Sequence, residues 1–398
     1  MRVVVAGAGI GGLATALSLY AAGITDVTVY EAVEEIRPLG VGIDLLPHAV
    51  RELSELGLYD DVAEISVATA ESVHHDRFGR RLRTEPRGLA AGYAWPQFSV
   101  HRGELQMLLL RGQLAWLGAE SLRTGLRLSG YAQTADGVTV EFTDPAGNTV
   151  TDEADVLIAA DGIDSAGRAL MYPSEGPPTW HGRVLWRGVS PAPALLTGHT
   201  TIVAGDGDQR FVAHPLRAAE GERPALLNWL AERPHPGPPA QPGDWQRPAE
   251  LDTILAHFAD WEFDWLDVPT LIANADVAYE YPMVDRDPLP SWSDGRVTLL
   301  GDAAHATFPI GIDGASQAIL DARVLAHELA THSDPIEALS RYEELRRPAT
   351  TTLQQSNRAH GPGTLPHPTP TPGTGHDAKA LNERASYSVT NNKTTTES

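Results

Sequence analysis

Three glycines near the start of the chain have the spacing of a dinucleotide-binding turn. Gly7, Gly9 and Gly12 follow an apolar run, residues 2–6, which predicts a buried strand, and they open a run of small residues that predicts a helix. The first glycine permits a tight turn, the second lets the backbone approach a pyrophosphate, and the third allows close packing of helix on strand. A phosphate-binding turn is therefore expected here.

The helix and a downstream acid complete this pattern. The predicted helix begins near Ile10 and Gly11, where unpaired N–H groups and the positive end of the helix dipole would face the phosphates. Glu31, followed by Ala32, lies at the end of the next predicted strand. Its carboxylate can accept hydrogen bonds from both hydroxyls of an adenosine ribose and would repel a 2′-phosphate. These features predict a bound dinucleotide and leave NAD and FAD both open.

Composition narrows the class of protein. The chain has 398 residues, of which 42% are apolar, enough for a large core and two domains. The balance of 30 basic against 52 acidic side chains argues against nucleic acid or an anionic membrane surface as a partner. The absence of cysteine excludes disulfides, thiolate metal sites and a cysteinyl-linked flavin. With no long apolar run and no signal segment, a cytoplasmic enzyme without a bound metal is expected.

Three further segments combine glycine with charged side chains directly after a predicted strand. They are His101-Arg102-Gly103-Glu104-Leu105, Asp161-Gly162-Ile163-Asp164-Ser165-Ala166-Gly167-Arg168, and Gly301-Asp302-Ala303-Ala304-His305 with Pro309 and Gly311–Gly314 behind it.

These segments and the glycine turn, in this order, resemble the class A flavoprotein monooxygenases, which are FAD-dependent aromatic hydroxylases of the para-hydroxybenzoate and salicylate hydroxylase type. The likeness is greatest to the phenazine-modifying hydroxylases of the pyocyanin type. The resemblance implies an α/β fold, with a Rossmann-like FAD-binding domain, an inserted, mainly antiparallel β-sheet substrate domain and C-terminal helices. The expected division assigns residues 1–70, 101–175 and 291–360 to the FAD-binding domain, 71–100 and 176–290 to the substrate domain, and 361–398 to a disordered tail.

The resemblance also implies roles around a non-covalently bound FAD. Asp302 would accept a hydrogen bond from a ribityl or ribose hydroxyl, and Pro309 would begin a loop beside the flavin. The helix after Gly314 would direct N–H groups at the flavin N1/C2 carbonyl and favour the anionic reduced form. Asp302, Pro309 and Gly311 are expected nearest the chemistry, as positioning residues without a dedicated acid or base. The other residues expected at the cofactor are Gly42, Ile43, Arg102, Asp161, Ile312 and Asp313.

Several of these residues have simpler structural alternatives. Asp302 could instead cap a turn, Arg102 could form a salt bridge at a strand end, and His305 is expected to be structural. Two positions depart from the relatives. Asp313 would place a carboxylate near the flavin carbonyl edge, where it opposes negative charge. Gly167 replaces an apolar residue and is expected to loosen its turn.

The implied reaction consumes NADH or NADPH together with O2. NAD(P)H reduces FAD, the reduced flavin reacts with O2, and one oxygen atom passes to an electron-rich ring. The expected substrate is a small planar aromatic or N-heteroaromatic molecule such as a phenazine carboxylate, with decarboxylation if the carboxyl group is displaced. Trp186, Val212, His214 and Tyr281 on the inserted sheet are the candidate pocket residues, with ordinary core packing as the alternative. Strand alternation places Trp186 and Arg187 on opposite faces.

Two other functions remain open at this point. One is an FAD-dependent reductase, oxidase or halogenase-like enzyme of the same fold without oxygen insertion. The other is a non-catalytic flavin-binding scaffold. The expected assembly is a monomer or a homodimer.

Overall fold

The computed structural model describes residues 1–237, 247–308 and 314–360. The helices are α1 (Ile10–Ala21), α2 (Pro47–Glu55), α3 (Tyr59–Glu64), α4 (Arg102–Leu117), α5 (Ala166–Met171), α6 (Leu251–Phe258), α7 (Val268–Ala273), α8 (Asp302–His305), α9 (Gly314–Thr331) and α10 (Pro335–His360), with 3-10 turns at Gly88–Ala91 and Ala119–Ser121.

The strands in chain order are β1 (Arg2–Ala6), β2 (Asp26–Tyr30), β3 (Gly42–Leu45), β4 (Ser66–Thr69), β5 (Glu71–His75), β6 (Arg81–Pro86), β7 (Gln97–His101), β8 (Leu122–Arg123), β9 (Arg127–Gln133), β10 (Val138–Thr143), β11 (Thr149–Ala154), β12 (Val156–Ala159), β13 (Thr179–Ala192), β14 (Thr200–Gly205), β15 (Arg210–Arg217), β16 (Ala225–Pro234), β17 (Pro248–Ala249), β18 (Glu262–Phe263), β19 (Leu266–Asp267), β20 (Ala278–Asp285), β21 (Ser293–Asp294) and β22 (Val297–Leu299).

A six-stranded sheet forms the centre of the nucleotide-binding part. Its order is β21-β22-β12-β1-β2-β8, and every pairing is parallel except the one with the edge strand β21. Strands β1 and β12 are buried along almost their whole length, as expected for parallel strands that are covered on both faces. Helices α1 and α9 pack against each other over this sheet.

The topology brings three of the sequence motifs to one edge. Strands β1, β12 and β22 run in the same direction, so Gly7, Asp161 and Gly301 all lie just beyond carboxyl ends of the sheet. The N–H of Ala160 donates to the carbonyl of Ala6 (2.8 Å), which joins the first two turns directly. The carboxyl edge of an open parallel sheet is where such folds bind nucleotides.

The second large sheet is the inserted domain. Its eight strands have the order β17-β20-β13-β16-β15-β14-β5-β6, and only the β14–β5 pair is parallel. The predicted fold class, an α/β nucleotide-binding domain with an inserted, mainly antiparallel sheet, is therefore confirmed. Within the described part of the chain, no helix combines the length and apolar character needed to cross a membrane.

The two faces of the inserted sheet have different partners. One face packs against α6 and α7 through an aromatic cluster of Trp186, Phe211, Trp229, Phe258 and Trp261. The opposite face docks on β3 and β7, where the N–H of Gly42 donates to Oδ1 of Asn228 (2.7 Å). Register and alternation set this opposite face, which we call the inner face of the sheet.

Gly188 makes the aromatic face possible and provides a test of it. A Cβ at this position would lie 2.4 Å from Cζ2 of Trp229, which is fully buried. We expect Gly188→Ala to lower the free energy of unfolding by about 1–3 kcal/mol, because overpacked cores must shift side chains or backbone. Gly207→Ala is the matched control, since no atom lies within 4 Å of its Cβ position. Equal denaturation midpoints for the two variants would contradict this packing.

Candidate active site

The three glycines of the first turn have distinct surroundings. Gly7 has φ +107°, and a Cβ there would lie 2.4 Å from the carbonyl oxygen of Ala160. A Cβ on Gly12 would lie 1.9 Å from the oxygen of Gly7, whereas the Cβ position of Gly9 has no atom within 4 Å. Gly9 is the N-cap of α1, and no side chain caps this helix. The turn thus leaves one open approach to unpaired N–H groups, which suits a phosphate.

Glu31 is held beside this turn. Its Oε2 accepts a hydrogen bond from the N–H of Ala8 (2.8 Å), and its Oε1 accepts one from the N–H of Val33 (2.9 Å). Each carboxylate oxygen has a further lone pair, so both can still accept from a ribose hydroxyl. Ala32 is half-buried next to it. The carboxylate is therefore oriented by the backbone around it before any ligand binds.

Asp302 begins α8 directly after Gly301, whose φ of +62° favours glycine. Its side chain reaches solvent on one side but lies in a recess, and loss of hydration raises the pKa of its carboxyl while His305 and Arg102 act in the opposite direction. Gly314, the first residue of α9, is close by, since a Cβ there would lie 3.8 Å from Oδ1 of Asp302. The carboxylate therefore lies beside the start of α9.

The predicted residues Pro309, Gly311, Ile312 and Asp313 lie outside the described residues. The expectation for Asp313 at the flavin edge therefore stays a prediction.

A buried carboxylate holds the Gly301 turn from behind. Oδ2 of Asp321 bonds to Nε2 of His305 (2.6 Å) and accepts from the N–H of Gly301 (3.3 Å), while its Oδ1 accepts from Nε of Arg346 (2.7 Å). Burial opposes ionisation of Asp321, but these two basic side chains hold the pKa of its carboxyl below the usual value. His305 thus has the structural role that the sequence predicted.

Arg102 and Arg187 both lie close enough to Tyr281 to act on its hydroxyl group, and Arg102 also acts on the carboxyl group of Asp302. Arg102 begins α4, and no side-chain ion pair involves it in the described ranges, which disfavours the salt-bridge alternative. Arg187 donates from Nη2 to the carbonyl of Gly42 (2.5 Å) and lies 5.8 Å from the centroid of the Tyr281 ring. Burial raises the pKa of Tyr281, and both arginines oppose that shift. Ile43, the next residue of β3, is half-buried.

Asp161 is used within its own turn. Its Oδ2 accepts from the N–H groups of Ala166 (2.7 Å) and Gly167 (3.1 Å), and its Oδ1 accepts from the hydroxyl of Ser165. Burial raises the pKa of Asp161, although these hydrogen bonds oppose the shift. A Cβ on Gly167 would lie 2.4 Å from Cβ of Ala159. The expectation that Gly167 loosens the turn is wrong, because the missing side chain lets α5 pack directly on β12.

Arg168 at the end of this motif has a positioning role that the sequence reasoning missed. Its guanidinium is buried and donates from Nη1 to the carbonyls of Ala303 (3.1 Å) and Ala304 (3.0 Å). Its Nε donates to Oε2 of Glu175 (2.7 Å). Arg168 therefore ties the Asp161 turn to the segment that carries Asp302. Its place in the motif was the available signal, but its partner carbonyls lie 135 and 136 residues away.

The four candidate pocket residues lie in different environments. Val212 and Tyr281 are on the inner face, packed against an apolar cluster of Leu185, Leu230, Met283 and Phe308. Trp186 lies on the opposite face, where it stacks on His257 (5.8 Å) and donates to Glu280 (3.0 Å). The expectation that Trp186 lines the pocket is therefore wrong, because α6 and α7 cover its side of the strand.

His214 is on the inner face, but its ring is engaged on both sides. One ring nitrogen bonds to the hydroxyl of Ser99, and the other bonds to the amide of Asn228 (2.7 Å). Burial lowers the pKa of His214. It joins the inserted sheet to β7, and its contacts favour a structural role over contact with a ligand.

Comparisons with known proteins fit this geometry. The family model described as an FAD binding domain matches residues 1–185 and 283–357. The chain is 48% identical over 361 residues to a phenazine 1,6-dicarboxylic acid hydroxylase of Lysobacter antibioticus, covering 89% of each chain. It is 31% identical over 372 residues to 3-hydroxybenzoate 6-hydroxylase 1 of Aquipseudomonas alcaligenes, covering 90% of this chain and 88% of that one.

Solved structures give the same result. HpxO of Klebsiella pneumoniae, complexed with FAD and uric acid, superposes with a TM-score of 0.73 at 29% identity and covers 96% of this chain and 93% of its own. A salicylate hydroxylase substrate complex has a TM-score of 0.72 at 27% identity, with 96% and 92% coverage.

The fold and the site define a flavin-dependent monooxygenase of the aromatic hydroxylase type. The chain belongs to the FAD-binding-domain family, and its cofactor is FAD. The described residues fit this cofactor, because the open position at Gly9, the oriented carboxylate of Glu31 and the recessed Asp302 lie along one edge of the parallel sheet. The hydroxylases and monooxygenases among the relatives argue against the reductase, halogenase-like and scaffold alternatives.

Asp321→Asn tests the network behind the Gly301 turn. Removing this charge leaves Arg346 buried without its carboxylate, so we expect a loss of about 3–5 kcal/mol in the free energy of unfolding at pH 7. Because the folded-state pKa of Asp321 is depressed, its stabilisation is present above its ordinary pKa and is lost as the pH falls below about 4. The difference between wild type and variant should therefore shrink in acid.

Glu337→Gln serves as the control, since it removes one exposed carboxylate from the first turn of α10. Urea denaturation of the FAD-loaded proteins between pH 3 and 8 gives both quantities. A pH-independent difference for Asp321→Asn would count against the ion-pair interpretation.

Proposed function

We propose that this protein hydroxylates a planar aromatic or N-heteroaromatic carboxylate, such as a phenazine carboxylate, with NADH or NADPH and O2 as co-substrates. The observation that carries this proposal is the inner face of the inserted sheet, where an apolar cluster lies beside the half-buried cation of Arg187. The 48% identical relative acts on a phenazine dicarboxylic acid by its name, which supports the same substrate class.

The bound FAD would supply the two-electron chemistry and the activation of oxygen. The turn at Gly9 and the start of α1 would hold its pyrophosphate, and Glu31 and Asp302 would hold its hydroxyl groups. Arg102 and Arg187 would place positive charge where the flavin and an anionic substrate meet. These assignments rest on the positions of the side chains along the sheet edge.

The apolar cluster supports this chemistry by excluding water. Leu185, Leu230, Met283 and Phe308 are buried on the inner face, and Tyr281 and Val212 pack on them. A dry surface favours transfer of oxygen to a ring over loss of hydrogen peroxide. A flat aromatic ring fits a surface made of such side chains, and Arg187 would contact its carboxylate.

A direct assay tests the reaction. The FAD-loaded protein is supplied with NADH or NADPH and phenazine-1-carboxylate or phenazine-1,6-dicarboxylate under ¹⁸O2. We expect one labelled oxygen per product, either added to the ring or in place of a carboxyl group, with the second oxygen released as water and two electrons taken from NAD(P)H. If O2 is recovered only as peroxide with every aromatic carboxylate, the protein acts as an oxidase and the hydroxylase proposal fails.

Two substitutions test the cofactor assignments. Glu31→Ala and Asp302→Ala should each yield colourless protein, because each removes a carboxylate expected to bind FAD hydroxyl groups. Glu34→Ala is the control, because it removes an exposed carboxylate from the same loop. FAD content per chain is measured by absorbance after desalting. Stoichiometric FAD in both test variants would remove the basis for these two assignments.

A further inference from the structure

A buried arginine on the inner face has donors that no described residue of the chain uses. Arg210, at the start of β15, is 3% exposed. Its Nη2 donates to Oε2 of Glu232, but its Nε and Nη1 are buried without a hydrogen-bond partner. Buried charged donors without acceptors are strongly unfavourable, and an acceptor supplied by a ligand would relieve this cost.

The charges around Arg210 do not balance. Glu232 is fully buried and is shared with a second guanidinium, because Nε of Arg183 donates to its Oε1 (2.6 Å). Arg183 donates from Nη2 to the carbonyl of Asp208 (2.9 Å). Two cations therefore share this carboxylate. Asp206 also acts on Arg183, so the less compensated positive charge is that of Arg210. Such a pair favours an anion.

The register places Arg210 opposite Arg187 across the apolar cluster. In the β15–β16 pair, Arg210 is opposite Glu232 and Val212 is opposite Leu230; in the β13–β16 pair, Leu230 is opposite Arg187. Arg187 and Arg210 therefore project from the same face, two strands apart laterally and two residues apart along the strand. At about 4.8 Å between strands and about 3.4 Å per residue, their Cα atoms are about 12 Å apart.

Both arginines point from the face that carries the apolar cluster. On the strand between them, this face carries Leu230 and the fully buried Glu232, and Leu185 and Val212 flank these two residues. Arg187 also has a buried Nε without a hydrogen-bond partner. The inner face thus carries two cations, the buried Arg210 and the half-buried Arg187, each with a buried donor that has no partner among the described residues. The span between them is close to that of a tricyclic aromatic ring system with its substituents.

We propose that Arg210 is a second anion subsite, and that the pocket selects a planar aromatic dicarboxylate with one carboxylate at Arg187 and the other at Arg210. This inference rests on the proposed function, because it takes the inner face as the substrate-binding surface. It goes further by making Arg210 the residue that distinguishes a dicarboxylate from a monocarboxylate.

Equilibrium dialysis of the FAD-loaded protein tests this subsite without turnover. The probes are phenazine-1,6-dicarboxylate, phenazine-1-carboxylate and unsubstituted phenazine. We expect the wild type to bind the dicarboxylate at least about tenfold more tightly than the monocarboxylate, as a hydrogen bond to a charged group implies. Arg210→Gln should remove this preference and change the affinity for unsubstituted phenazine less than about twofold.

Arg183→Gln is the matched control. This substitution removes a cation from the same carboxylate. The Nε and Nη2 groups of Arg183 already donate to Glu232 and to the carbonyl of Asp208, so Arg183 is not expected to bind the ligand. The variant should keep the preference for the dicarboxylate. If Arg210→Gln does not hold FAD, Arg210→Lys replaces it: its ammonium can keep the ion pair with Glu232 but has no donor at the Nε position, so the preference should again be lost.

The outcomes separate the two proposals. A wild type without preference for the dicarboxylate, an equal loss for all three probes in Arg210→Gln, or the same selective loss in Arg183→Gln would each overturn the subsite. If the wild type binds no phenazine, the proposed substrate is wrong, and the comparison is repeated with naphthalene, 2-naphthoate and naphthalene-2,6-dicarboxylate. Absence of binding in that series as well would overturn the subsite too.

Discussion

The carboxylate of Asp321 is the interaction on which the arrangement of this protein depends. It is buried in α9 and binds the backbone of Gly301, the ring of His305 and the guanidinium of Arg346. These partners belong to the turn after β22, to α8 and to α10, so one charged group fixes the relation of three elements. Because a buried charge tolerates no loss of its partners, the turn that presents Asp302 cannot shift independently of α9 and α10.

Arg168 extends the same constraint across the edge of the parallel sheet. It joins the turn after β12 to the carbonyls of α8, while the turn after β1 is joined to β12 by the hydrogen bond between Ala160 and Ala6. Three loops from distant parts of the sequence thus form a single connected surface. A large cofactor that contacts all three needs such rigidity, since each loop contributes only a few of its contacts.

Local patterns predicted the parts of the fold that depend on neighbouring residues. The first turn was predictable because Gly7, Gly9 and Gly12 must avoid backbone atoms or admit a ligand within one short segment. Gly167 was misinterpreted because its constraint comes from Ala159 on another element. A missing side chain indicates looseness in isolation and close packing in context.

Trp186 and Arg187 show the same limit on the inserted sheet. Alternation correctly separated the two residues, but it could not tell which face would be covered by α6 and α7. Hydrophobicity favoured Trp186 for the pocket, whereas the helices bury it elsewhere. Which face of the sheet is covered depends on the register of eight strands and on the helices α6 and α7, about 60 to 90 residues further along the chain. A short sequence pattern contains neither.

The two faces of the inserted sheet therefore have different roles. Its outer aromatic face is sealed by helices and supplies stability, and this permits the inner face to carry arginines that are poorly satisfied within the protein. A buried guanidinium with unused donors reduces stability, so its presence needs a compensating partner. In the proposal made above, this partner is the substrate. The stability that the outer face supplies would thus offset the cost of inner-face arginines whose hydrogen bonds the substrate completes.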